Sequence, residues 1–245
     1  MTKRHRIGMT VPFADNRVPD EGLVMYPDIE FVPRGTGVRS LTPEGYDAAV
    51  DKIIPGAEEL AQQGVEAVML MGTSLTFYRG PKFHDELLEK ARRATGLPCS
   101  SMSQSVVDGL RFFGAKKVAV STAYSKVVND KLQELLEYHG FEVESLECFG
   151  ITDFGGGATG KSDQEIIELT GKAIEKAPKA DAVLISCGGL RTLNCSAPIE
   201  EKYGLPVVTS TQSAFWAALQ LVGESGQISG YGRMLAEAKA PEMAR

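Results

Sequence analysis

The feature that most constrains this chain is a segment that occurs twice. Asp181-Ala182-Val183-Leu184-Ile185-Ser186-Cys187-Gly188-Gly189-Leu190 is a charged start, a short apolar run, then a cysteine before two glycines. Glu66-Ala67-Val68-Met69-Leu70-Met71-Gly72-Thr73-Ser74-Leu75 matches it position for position, with Gly72 where the other copy has Cys187. Two more pairs accompany it. Gly96-Leu97-Pro98 with Ser103-Gln104-Ser105 is echoed by Gly204-Leu205-Pro206 with Thr211-Gln212-Ser213, and Arg6-Ile7-Gly8-Met9-Thr10 by Lys117-Val118-Ala119-Val120-Ser121. The offsets of 115, 108 and 111 residues are those of two related halves with small insertions.

A short apolar run bounded by glycine reads as a buried parallel strand, and strand and helix patterns alternate along the chain. This predicts an α/β fold of two similar parallel-sheet βαβ halves related by pseudo-two-fold symmetry, with the active site in the cleft where the strands end. Residues 1–112 form the first half and 113–221 the second, with the tail 222–245 packing back on the first. Strands are expected at Ile7–Val11, Ala67–Met71, Leu97–Ser100, Val118–Ser121, Phe141–Leu146, Ala182–Ser186 and Val207–Thr209. Thr42-Pro43-Glu44 starts one helix whose apolar face runs to Leu60. The stretch from Pro12 to Ser40 is rich in proline, glycine and charge and reads as a long functional loop.

The 245 residues are 43% apolar, enough for an ample core. With 26 basic against 32 acidic residues the net charge is −6, which argues against a nucleic-acid or membrane-surface partner. No apolar run reaches membrane-spanning length and the N-terminal charges lack an apolar signal region behind them, so a cytoplasmic protein is expected. In that compartment Cys99, Cys148, Cys187 and Cys195 stay as thiols.

Several patterns have a bland reading. Gly155 to Ser162 formally matches a phosphate-cradling loop, but Phe149 to Asp153 is a poor strand to lead into it, and Ser162 with Glu165 is equally a helix capping box. Gly35-Thr36-Gly37-Val38-Arg39-Ser40 lacks the third glycine of a dinucleotide fingerprint. His5, His84 and His139 are scattered with no partner at ligand spacing; no metal site is expected, and His84 and His139 read as surface or satisfied polar residues. Cys99, Cys148 and Cys195 read as small buried hydrophobes.

Cys187 is different. It ends a strand before two glycines, where backbone N–H groups approach an anion, so the segment reads as a thiol beside an oxyanion pocket. Thr73 and Ser74 sit at the related position, where helix capping and oxyanion binding use the same geometry. Tyr124, just past the strand from Val118, is a phenolic donor.

Gly72-Thr73-Ser74-Leu75, Ser121-Thr122-Ala123-Tyr124, Ser186-Cys187-Gly188-Gly189-Leu190 and Leu41-Thr42-Pro43-Glu44-Gly45-Tyr46 together resemble the aspartate/glutamate racemase superfamily and, within it, the arylmalonate decarboxylases. The likeness runs from Ile7 to about Tyr231. Racemases and isomerases of that superfamily carry a cysteine in each half, whereas the decarboxylases keep only the second, the pattern here. The resemblance implies cofactor-free decarboxylation of a disubstituted malonate, a small dicarboxylate, to one enantiomer of a monoacid. Thr73, Ser74 and Tyr124, with N–H groups of Ser74, Cys187 and Gly188, would hold one carboxylate; the other would lie against Pro12, Val38, Leu41, Tyr46 and Phe154; Cys187 would protonate the enediolate. Arg39, Arg191 and the Gly155–Gly157 loop depart from the family pattern and predict a wider or more polar pocket. A one-cysteine racemase or isomerase of a small acid is the alternative enzyme, and a solute- or nucleotide-binding module using Gly155 to Ser162 the alternative of another class.

Overall fold

The computed structural model of the chain describes residues 4–154 and 156–241. The first half runs β1 (Arg6–Val11), α1 (Asp20–Met25), β2 (Glu30–Gly35), α2 (Pro43–Val50), α3 (Ile53–Gln62), β3 (Ala67–Leu70), α4 (Thr73–Phe77), α5 (Pro81–Thr95), β4 (Cys99–Ser101) and α6 (Met102–Phe112). The second runs β5 (Lys117–Tyr124), α7 (Lys126–Tyr138), β6 (Glu142–Ile151), α8 (Gly156–Thr159), α9 (Asp163–Glu175), β7 (Ala182–Ser186), α10 (Ser196–Tyr203), β8 (Val207–Thr209) and α11 (Ser210–Gln220), before a terminal turn of helix, α12 (Arg233–Ala236). Each half builds a four-stranded parallel sheet, in the orders β2-β1-β3-β4 and β6-β5-β7-β8, so the duplicated sequence produces two sheets of one topology.

The central strands β3 and β7 are buried at every residue, as unbroken apolar runs in a sheet covered on both faces must be. Asp181 fixes where β7 begins, because its carboxylate accepts the backbone N–H groups of Lys116 and Lys117 at 3.0–3.1 Å. The halves meet through α6 and α11, the helices that follow the last strand of each sheet. Both open on a strand-end hydroxyl, Ser101 and Thr209, that accepts a first-turn N–H from Gln104 and Gln212. α11 is buried from Ser210 to Leu219, which is why it is apolar or small around its whole circumference. Close approach needs Gly109: a Cβ there would lie 2.9 Å from Val208 and 3.1 Å from Met234. The segment after Ser225 touches both halves, through Tyr26 donating to the Gly226 carbonyl and Glu200 accepting from the Arg233 N–H.

Three elements differ from the sequence expectation. Pro12 to Ser40 is not one loop, for it holds α1 and β2. β2 carries Pro33, which sheets tolerate only where one side of the strand is unpaired, and β2 is an edge. The helix expected from Thr42 to Leu60 is two, interrupted at Asp51 and Lys52, and Pro55 sits in the first turn of α3 where no N–H is missed. Finally, β6 continues to Ile151 through the stretch read as a poor strand; Gly150 at φ +70° and shifted pairing with β5 show an irregular edge.

Candidate active site

Strands β3 and β7 end at related places, and each hands the chain to a turn that regular strand geometry does not supply. Gly72 holds φ +98° and caps α4; Cys187, at φ +153°, occupies backbone space rare for a residue with a side chain. Glu21 of α1 anchors the turn after Cys187, its buried carboxylate accepting the Thr192 N–H at 2.7 Å. The thiol is 5% exposed. Burial pushes it up to about 11, against weaker lowering by the N–H groups of Gly189 and Leu190 and by the Tyr124 hydroxyl. At neutral pH it is therefore an S–H group with its proton in place.

Around the thiol lies a group of neutral hydroxyls from both halves. Thr73 Oγ1 donates to Ser210 Oγ at 3.0 Å, and Ser210 Oγ also accepts the Cys187 N–H at 3.3 Å and lies 3.4 Å from Ser186 Oγ. Tyr124 is fully buried, 3.4 Å from Ser186 Oγ and in contact with Thr73 and Cys187; burial, then the nearby thiol, hold its phenol well above the ordinary tyrosine range. Tyr46 donates to Ser74 Oγ at 2.7 Å and is likewise raised, mainly by burial. Among the described residues no charged side chain belongs to this group, so a carboxylate placed here would meet neutral hydroxyls and no like charge. The sequence marks Ser186 only as part of the Ser186–Leu190 motif and does not mark Ser210. Ser210 had a signal, because it immediately precedes the Thr211-Gln212-Ser213 echo and stands opposite Met102 in the duplication.

A cavity of about 40 Å³ is lined by Cys187, Gly188, Gly72, Thr73 and Ser74 on its polar side and by Pro12, Val38, Leu41, Tyr46 and Phe154 on its apolar side. Tyr124 stands behind this lining. The apolar wall is stitched across the halves: the Leu41 N–H donates to the Thr152 carbonyl at 2.7 Å, Ser40 pairs with Asp153, and Phe13 and Phe154 pack with ring centroids 5.7 Å apart. A larger pocket of about 430 Å³ shares Phe13, Pro19, Thr159, Gly188 and Gly189 with it. The expectation that Arg39 and Arg191 widen or polarise the cavity is not met there, since Arg39 is exposed outside both linings and Arg191 lines only the larger pocket.

Other sequence candidates fall elsewhere. Cys99 and Cys195 are buried as expected, but Cys148 is exposed on the edge strand β6. Of the Gly155–Ser162 stretch, Gly155 lies outside the described residues and Gly156–Thr159 form α8, while Ser162 and Glu165 exchange both bonds of a capping box and Lys161 Nζ lies 2.8 Å from the Glu165 carboxylate. His84 is not on the surface; it is fully buried and paired through Nε2 with Ser101 Oγ at 2.7 Å. The fold also brings His84 to His139, which the sequence reading kept apart.

The chain also matches known proteins in sequence and in fold. Residues 7–235 match the arylmalonate decarboxylase family. Arylmalonate decarboxylase of Bordetella bronchiseptica is 42% identical over 233 residues, covering 94% of this chain and 96% of that protein. A liganded mutant of arylmalonate decarboxylase, with one glycine changed to cysteine and one cysteine to serine, superposes with a TM-score of 0.93 at 40% identity, over 95% of this chain and 99% of the other. The unliganded enzyme superposes with a TM-score of 0.84 at 40% identity and the same coverage. Maleate isomerase from Pseudomonas putida S16 shares the fold, with a TM-score of 0.87 at 20% identity over 96% and 98% of the two chains. The chain thus belongs to the arylmalonate decarboxylase family, a family of carboxy-lyases.

Proposed function

We propose that the protein is a cofactor-independent decarboxylase of disubstituted aryl malonates that releases one enantiomer of the monoacid. The observation that carries this reading is the single buried, protonated thiol of Cys187 facing a cavity with neutral donors on one side and hydrocarbon on the other. One substrate carboxylate accepts hydrogen bonds from the hydroxyls of Thr73 and Ser74 and from first-turn N–H groups of α4, with the Tyr124 phenol behind them in contact with Thr73 and Cys187. The other is pressed against Pro12, Val38, Leu41 and Phe154, where loss of hydration disfavours its charge. Its bond to the α-carbon breaks, CO2 leaves, and the electron pair spreads into the retained carboxylate as an enediolate. The growing charge on that group strengthens hydrogen bonds already in place.

Cys187 then gives its S–H proton to the α-carbon, forming the C–H bond, and the thiolate recovers a proton from solvent. A group titrating near 11 is suited to this, being fully protonated before the step yet far more acidic than the carbon it serves. The inner cavity is too small for an aryl ring, and the adjoining 430 Å³ pocket supplies the room, its wall mixing the apolar Phe13, Val18, Pro19, Leu190 and Leu193 with the charged Arg17, Asp20, Asp163 and Arg191. Four unpaired thiols, one of them exposed, suit a reducing cytoplasm.

The test is incubation with a methyl-aryl malonate, following CO2 and product chirality. Wild type should release CO2 and a single enantiomer, and Cys187→Ala should lose about 10²–10⁴-fold in turnover. Unchanged turnover by the variant refutes the assigned role. Exchange of a monoacid α-proton without CO2 release from the diacid favours the racemase reading instead.

A further inference from the structure

Away from the cleft, two helices from different halves bring together a set of donors that the decarboxylation does not use. One donor atom each from His84, Asp85 and His139 lies within 4.8 Å of the others. His84 and Asp85 open α5 in the first half, and His139 caps the end of α7 in the second. We infer that these three residues form a binding site for a divalent transition-metal ion, with Zn²⁺ the best match, that staples the two halves together.

Orientation and burial support the assignment. His84 has no exposed surface, and its Nε2 is engaged with Ser101, which directs Nδ1 toward Asp85 Oδ1 at 3.4 Å. That Nδ1 is buried with this long contact to Asp85, and His139 Nε2 is buried without a hydrogen-bond partner. Buried imidazole nitrogens normally find partners, so an unpaired Nε2 beside an Nδ1 held only by a long contact fits a pair of nitrogens that share a ligand. The Tyr138 hydroxyl donates to Asp85 Oδ2 at 3.1 Å, which holds the carboxylate as outer-shell partners hold metal ligands.

Two imidazoles and a carboxylate, with a fourth position for water, are a zinc ligand set, and bonds of about 2.1 Å put tetrahedral donors about 3.4 Å apart. The His84–Asp85 pair already has that spacing, and the partly exposed Asp85 and His139 side chains supply the remaining adjustment. Arg111 is the competing cation, with a guanidinium nitrogen 3.4 Å from His139 Nδ1; it is exposed and leaves by rotating its side chain. Arg92 and Asp108 also bear on the cluster electrostatically, the first on His84 and the second on His139.

The experiment uses the full chain, stripped with a chelator, dialysed, and titrated with ZnCl₂ alone by calorimetry and thermal melting. One equivalent should bind, and a hundredfold excess over Kd should raise Tm by about 5–10 °C. Asp85→Asn at an exposed side chain and His139→Gln at a half-buried one are both conservative in size and should fold; each should weaken binding at least tenfold and remove that rise, whereas Arg111→Ala should bind more tightly. Co²⁺ in place of Zn²⁺ should give a visible spectrum of nitrogen and oxygen ligation. Absence of any Tm shift in wild type overturns the site. So does a shift kept in full by His139→Gln, or a thiolate-to-cobalt band, either of which puts the ion elsewhere.

Discussion

Cys187 feels two opposing influences. Removal from water favours the neutral thiol, while the N–H groups of Gly189 and Leu190 and the phenol of Tyr124 favour the thiolate, and burial wins by carrying the group to about 11. At pH 8 only roughly one molecule in a thousand then holds a thiolate here. The residue is thus a poor nucleophile and a ready proton donor. Cys148, exposed on the edge of the second sheet, has no such shelter. Iodoacetamide at pH 8 should therefore alkylate Cys148 first, with decarboxylase activity intact at one label per chain, and reach Cys187 much later, with activity falling in step. Peptide mapping against residual activity checks this. Loss of activity with the first label, mapped to Cys187, would mean an ionised thiol and would remove the basis for proton donation.

At the scale of elements, the glycine-rich segment before α9 shows how one motif serves two chemistries. A phosphate would need the Ser162 hydroxyl and the Lys161 ammonium, and both are bound to Glu165. Ser162→Ala should remove the cap and about 1 kcal/mol, lowering Tm by about 2–4 °C, while ATP or inorganic phosphate leaves the wild-type Tm unchanged. A phosphate-dependent rise in Tm would return the segment to ligand binding. Local rules made this junction readable, as they did β7 and the turn after it. They failed where the deciding contact is distant in sequence. β2 tolerates Pro33 only because the sheet order leaves it at an edge, and no window around Pro33 contains that order. Ser210 matters because α11 carries it to Thr73, 137 residues away. His84 and His139 meet only because α5 packs on α7. Gly72, Thr73, Ser74, Cys187 and Gly188, by contrast, can be read from the strand-end rule, because strand ends in an open parallel sheet share one crevice, whereas Val38, Leu41, Tyr46 and Phe154 lie off the strand ends and are indicated only by the family resemblance.

The whole molecule is a near-repeat whose exception falls at one position. Both sheets have the same strand order, and both central strands end in the same cavity, yet Cys187 carries a thiol while Gly72 has no side chain. A symmetric pair of thiols could give and take a proton on both sides of a planar enediolate, whereas a single thiol delivers from one side and yields one enantiomer. Gly72→Cys tests whether that asymmetry is the determinant. The position is not free of cost: its φ of +98° disfavours a side chain, and a Cβ would sit 3.3 Å from Leu75 Cβ, so the variant should lose about 1–3 kcal/mol of stability. If it stays folded, it should still release CO2 but give a product of reduced enantiomeric purity, and in D2O it should exchange the α-hydrogen of the monoacid, which wild type should not. Pairing it with Cys187→Ser should restore a single product of the opposite hand, because the donor then stands only on the first sheet's side. A folded, active Gly72→Cys variant that keeps one enantiomer and shows no exchange would mean that product handedness is set by how the substrate is seated and not by where the thiol stands.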